Sequence, residues 1–493
     1  MNPHMPEESP NPQASGEAPL YPREDREETE MFQPFFRRQR TWRVLFGLAV
    51  MALVIWLVPI PPESEVAAGL DPKMVRIGLG IFFGIAVLWM TEAMPLAATA
   101  LLVPLLAGLF GVSDVKSALA GFADPLIFLF LGGFALAAAM AYQGVDRWIA
   151  QSLVRLGKGR FLPVAFLLFG ASAFLSMWMS NTATTAMMIP LAMGILGRMK
   201  GGDAGLPNNA VFLLLGLAYS ASIGGLGMLV GSPPNGIAAT KLGISFAEWA
   251  AFGVPTVLLL MPAMIGVLYL LCRPGKGLEI EVATEEFSFN WHRKMTVAIF
   301  GATALCWVFG SQLGPWLGIA TSFDTVVALA AIFFLLYFQV VRWRDIDRGT
   351  DWGVLLLFGG GIALSGVLKD TGASLFLARL LAGAVEGWPL ILVIGAVVAF
   401  VIFLTELSSN TAVAALFVPI FFSVAGELGM APSKLVLPLA IAASCAFMLP
   451  VATPPNAIVY ASGQLPQRAM MRIGFALNLV CIALLVLLSM LLF

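Results

Sequence analysis

The sequence predicts an all-α polytopic membrane protein. It is expected to form two inverted repeats with broken helices and re-entrant hairpins, about 11 transmembrane helices in all. Three observations carry this. The 493 residues are 59% hydrophobic and only 12% charged, whereas a soluble domain has about 25% charged residues. Apolar stretches recur along nearly the whole chain, too often for a signal peptide or a single anchor. Polar motifs recur inside those stretches in one order. Gly132-Gly133-Phe134-Ala135-Leu136 returns as Gly360-Gly361-Ile362-Ala363-Leu364, 228 residues on. Asn181 and Asn410, each in Ser-Asn-Thr, lie 229 apart, and Asn235 and Asn456, each in Pro-Pro-Asn, 221 apart.

In chain order, residues 1–43 read as a cytoplasmic tail, disordered to about residue 36 because it is rich in Pro, Glu and Ser. Arg37, Arg38, Arg40 and Arg43 flank the first span and favour the cytoplasm. Residues 44–272 are the first membrane half, an extra helix plus repeat 1. Residues 273–294 are a polar inter-repeat loop, and 295–493 the second half. Within the halves, 124–142 and 351–368 read as re-entrant hairpins, because glycines at their centres would let the backbone reverse. Asp124 and Asp351 read as caps where those segments start.

The polar breaks carry the chemistry. Asn and Ser compete for backbone hydrogen bonds and favour turns. Irregular backbone at membrane depth survives only inside protein or beside a water-filled cavity. Prolines end helices and remove donors, so each Pro-Pro-Asn turn leaves free carbonyls and starts a new helix. Carbonyls and hydroxyls suit Na+, and helix N-termini suit an anion. Ser176 lies four residues before Ser180, which puts both hydroxyls on one helix face. No Lys or Arg lies in a break or turn; Lys241 is nearest. Glu406 and Glu92 are coupling candidates, because an acid at membrane depth is functional by default. The only histidines, His4 and His292, lie in polar segments, and the four cysteines are scattered. Neither a His-based site nor a disulfide framework is indicated. Net charge is −1, so no nucleic-acid footprint appears.

From about residue 44 to 493, the paired Ser-Asn-Thr motifs, the Pro-Pro-Asn turns and the glycine-centred segments resemble the divalent anion/sodium symporter family. The resemblance implies a homodimer with a scaffold domain and an elevator-like transport domain. Since no long ectodomain or cleavable leader is read in the sequence, a bacterial inner membrane is the expected location. It implies C4-dicarboxylates such as succinate, malate and fumarate, or citrate or sulfate, as the small dianionic substrate, with Na+ as coupling ion. Carried over by position, one Na+ would meet Ser176, Ser180, Asn181 and Gly231, and another Thr405, Ser408, Asn410 and Ala452. The dianion would meet Asn181, Thr182, Ser232, Pro233, Ser409, Asn410, Thr411 and Pro454. An exchanger of the same family would replace a Na+ site by a basic side chain, and none is present at these positions. A hydrolase would need a nucleophile with a base, or paired aspartates, which the breaks lack. A channel would not show saturable, Na+-dependent uptake.

Overall fold

The computed structural model describes residues 26–60, 64, 68–197, 199–200, 206–275, 279–280, 288–319 and 321–491. Helix α1 (Arg26–Leu57) is followed by α2 (Pro72–Met90), α3 (Leu96–Leu109), α4 (Val115–Ala120), α5 (Pro125–Gln143) and α6 (Val145–Leu156). Then come α7 (Phe161–Ser176), α8 (Asn181–Gly197), α9 (Leu206–Gly224), α10 (Pro233–Leu242) and α11 (Phe246–Cys272). The second half holds α12 (Trp291–Val308), α13 (Gly310–Trp316), α14 (Phe323–Tyr337), α15 (Trp343–Gly349), α16 (Trp352–Asp370) and α17 (Ala373–Ala384). It ends with α18 (Leu390–Thr405), α19 (Asn410–Glu427), α20 (Ser433–Ala443), α21 (Pro454–Ala461) and α22 (Gln467–Leu491). A two-residue strand, Met199–Lys200, pairs antiparallel with Glu279–Ile280 of the inter-repeat loop. Helix α1 begins at Arg26, inside the stretch expected to be disordered. Residues 1–25 of that expectation lie outside the described residues.

Among the described residues, six helical segments are long and apolar enough to cross a membrane alone; the other apolar helices run 10–17 residues or belong to a bent pair. The short ones include the arms of hairpins and the halves of broken helices. Element by element, α2 to α11 correspond to α12 and α14 to α22. If α2, α3, α5, the broken pair α9–α10 and α11 are the crossings of the first repeat, their odd number starts the second repeat from the opposite face, as inverted repeats require.

The glycine-centred hairpins of the sequence reading are not hairpins. Pro125–Gln143 and Trp352–Asp370 are uninterrupted helices. Asp124 and Asp351 do cap them, accepting from Leu126 N at 2.9 Å and Val354 N at 3.1 Å. Their glycines instead admit a neighbouring helix, the usual use of small residues between membrane helices. A Cβ on Gly132 would sit 2.5 Å from Ala328 Cβ of α14, and one on Gly360 2.5 Å from Ala100 Cβ of α3. Each repeat thus docks its fourth helix, α5 or α16, against the other repeat.

The hairpins lie at the Ser-Asn-Thr motifs. Ser172 donates to Leu217 O, and Ala173 abuts Gly224 at the end of α9. Helix α8 therefore starts where α9 ends, yet it packs along α9, so it must double back beside α7. The same holds for α18 and α19, which both pack on α20. Each hairpin tip faces the loop of a broken helix.

Candidate functional site

At the first tip, α7 ends at Ser176; Ala173 O and Leu175 O accept from Met177 N and from Trp178 N and Met179 N, which turn the chain out of the helix. The Ser176 hydroxyl donates to Asn181 Oδ1 at 2.6 Å. In the facing loop, Asn235 Nδ2 donates to Gly225 O at 2.8 Å and Met228 O at 2.9 Å. This clamp folds the loop into a 3-10 turn over Leu229–Gly231. Pro233 and Pro234 have no N–H, so no helical bond reaches back from them into that turn. A Cβ on Gly231 would lie 2.6 Å from Gly225 O and 2.9 Å from both Ser176 O and Met177 O. A Cβ on Gly225 would strike Asn181 Oδ1 and lie 3.0 Å from Gly231 O. Two facing glycines thus leave room for a ring of oxygens with few donors among them, a neutral cage fit for a small hard cation.

The second tip repeats the plan with different side chains. Thr405 Oγ1 lies 2.5 Å from Asn410 Oδ1 and 2.9 Å from Ala443 O, one proton for two acceptors. Asn456 Nδ2 clamps Ala446 O and Leu449 O, both at 3.1 Å. These are the counterparts, 221 residues on, of Gly225 and Met228. Ala452 is buried where the first loop has Gly231. Glu406 stands where the first tip has Met177. It is buried and accepts from Phe447 N and Met448 N at 2.7 and 2.9 Å, Leu449 N at 3.0 Å and Asn478 Nδ2 at 2.8 Å. Glu92, by contrast, is exposed in a turn with φ 47°, which suits an interfacial position.

The two loops adjoin. Ser232 Oγ is 3.0 Å from Ser444 Oγ, and Tyr219 OH donates to Phe447 O at 2.7 Å. Helix α10 packs on α19, and α21 on α8. The helix starts are not equivalent. At α10 and α21 the first positions are prolines, and Asn235 N and Asn456 N are bonded to Ser232 O and Thr453 Oγ1. Helix α19 starts at Asn410 with no side-chain cap from Ser409. Ser180 accepts from Ala183 N at 3.2 Å, leaving Asn181 and Thr182 at the start of α8.

The structure therefore brings Ser176, Asn181 and Gly231 together, and Thr405 with Asn410. Ser180 turns its hydroxyl to α8. Ser408 is buried with its hydroxyl unpartnered. Thr182 is exposed and Thr411 buried; Pro233 and Pro454 begin their helices. Lys241 is turned away, donating to Ser365 Oγ at 2.6 Å beneath the Phe422 ring. Sequence reasoning missed Gly225 and the Met177 carbonyl. Gly224-Gly225-Leu226-Gly227 was a signal for the first; a carbonyl ligand leaves none.

Residues 38–493 match the family described as the sodium:sulfate symporter transmembrane region. The chain belongs to the sodium:sulfate symporter family. Like its named relatives, this member of the family is a transporter, not an enzyme, and a multi-pass protein of the cell membrane. It is 48% identical over 446 residues to an uncharacterized transporter of Haemophilus influenzae, covering 89% of this chain and 94% of that one. It is 34% identical over 473 residues to the sodium-dependent dicarboxylate transporter SdcS of Staphylococcus saprophyticus, covering 89% of each. Among solved structures, the YdaH transporter of Alcanivorax borkumensis has a similar fold, with TM-score 0.52 and 15% identity. That match covers 92% of this chain and 97% of that one.

Proposed function

We propose that this transporter is a sodium-coupled symporter for divalent organic anions of the C4-dicarboxylate class. The observation that carries the reading is the oxygen cage between Ser176, Met177, Asn181, Gly225 and Gly231. The named SdcS relative supports it. Na+ at the first tip would leave net positive charge beside the start of α8, and Na+ at the second would offset the Glu406 carboxylate beside the start of α19. Their N–H groups, with the Ser-Asn-Thr side chains, would bind the carboxylates, and the proline-started helices would add dipole but few donors. With no fixed cation there, each ion lowers the cost of burying the other, which is positive linkage. The substrate role falls on Asn181, Thr182, Ser232, Pro233, Ser409, Asn410, Thr411 and Pro454. Cation binding falls on Ser176, Ser180, Asn181, Gly231, Thr405, Ser408, Asn410 and Ala452. The moving body would be the two hairpins with α9–α11 and α20–α22, crossing as an elevator in each protomer of a homodimer.

The test is radiolabelled succinate uptake into proteoliposomes under an inward Na+ gradient or an equal choline gradient. Uptake only with Na+ is expected. Uptake that ignores Na+ and requires internal dicarboxylate would replace symport by exchange, and silence toward succinate but uptake of sulfate or citrate would change the substrate.

A further inference from the structure

We propose that Glu406 is a positioning residue that sets the Na+ affinity of the second tip, a role with no counterpart at the first; this rests on the sodium-coupled reading above. Of the differences between the tips, one introduces a charge: Met177 and Glu406 hold equivalent places, 229 residues apart. In the first half, the Met177 carbonyl faces Gly231 within the oxygen cage. By the same correspondence the Glu406 carbonyl faces the second cage, while its carboxylate does something the Met side chain cannot. It gathers three consecutive backbone N–H groups, Phe447, Met448 and Leu449, from the loop between α20 and α21. Asn478 of α22 holds it from behind.

A peptide N–H aimed at the carboxylate turns the plane of its peptide unit, and so fixes the preceding carbonyl. The bonded N–H groups orient the carbonyls of Ala446, Phe447 and Met448. One of these, Ala446 O, is the counterpart of Gly225 O, which borders the first cage. The second loop needs this support because Ala452 replaces Gly231 and the close glycine packing of the first loop is gone. A buried carboxylate with four donors is satisfied at modest cost, and its charge adds attraction for a cation at Thr405 and Asn410.

The test compares wild type with Glu406→Gln and Asn478→Ala in proteoliposomes, reading the half-saturating Na+ concentration, and the KM for succinate and maximal rate at saturating Na+. In Glu406→Gln, an amide N–H2 meets Leu449 N–H. Half-saturating Na+ should rise about tenfold while KM and maximal rate return to within about twofold at high Na+. Asn478→Ala keeps the charge and should shift it in the same direction by a smaller factor. If Glu406→Gln does not fold, Asn478→Ala decides, and an unshifted value there overturns the role. A lowered maximal rate that Na+ does not restore makes Glu406 structural only. A sodium-dependent wild type with an unshifted Glu406→Gln overturns this role alone, whereas a wild type indifferent to Na+ removes the coupling and the role together.

Discussion

Gly231 shows how much a single residue decides here. Its missing Cβ leaves the space that Gly225 O, Ser176 O and Met177 O surround at 2.6–2.9 Å. Gly231→Ala puts a methyl into that space, so half-saturating Na+ for succinate uptake should rise at least tenfold, about 1.4 kcal/mol or more. An unchanged sodium titration would remove this residue from the cation site. The Ser-Asn-Thr side chains were legible in the sequence because polar triplets in apolar runs are costly and must be explained. The carbonyls were not, since every residue has one and only the fold selects Ser176, Met177 and Gly225. Glu406 was legible as a buried acid in an apolar context, but its three N–H donors come from a loop 41–43 residues away.

At the scale of elements, repetition was legible and the hairpins were misplaced by two helices, α5 for α7–α8 and α16 for α18–α19. Glycines in an apolar run serve equally as a reversal or as a flat face for packing, and composition does not separate the two. The pairing decides: Gly132 against Ala328, and Gly360 against Ala100, are the same contact made by opposite repeats. Gly360→Leu should therefore separate α3 from α16 and destabilise the fold by about 1–3 kcal/mol, the usual cost of overpacking. The thermal midpoint of the detergent-solubilised protein should fall, and an unaltered midpoint would contradict the close packing. The short connection between Met199–Lys200 and Glu279–Ile280 left no periodicity long enough to read.

For the whole molecule, the two tips are alike in plan and unlike in surroundings. Val230 is 7% exposed and packs on Gly133, while its counterpart Val451 is 83% exposed. Trp178 packs against the stacked pair Phe246 and Trp307, while its counterpart Leu407 is 74% exposed. On the proposed elevator mechanism, these unequal settings of the two repeats would belong to one of two states. In the other state the second tip would be covered and the first laid bare, carrying the cages across. If the proposed symporter fills both cages beside one anion site, Na+ acts more than once per cycle. The most direct measurement is the dependence of initial succinate uptake on external Na+ in proteoliposomes. The account predicts a sigmoidal curve with a Hill coefficient well above one, since linkage allows values up to the number of coupled sites. A hyperbolic curve, or uptake indifferent to Na+, would contradict it.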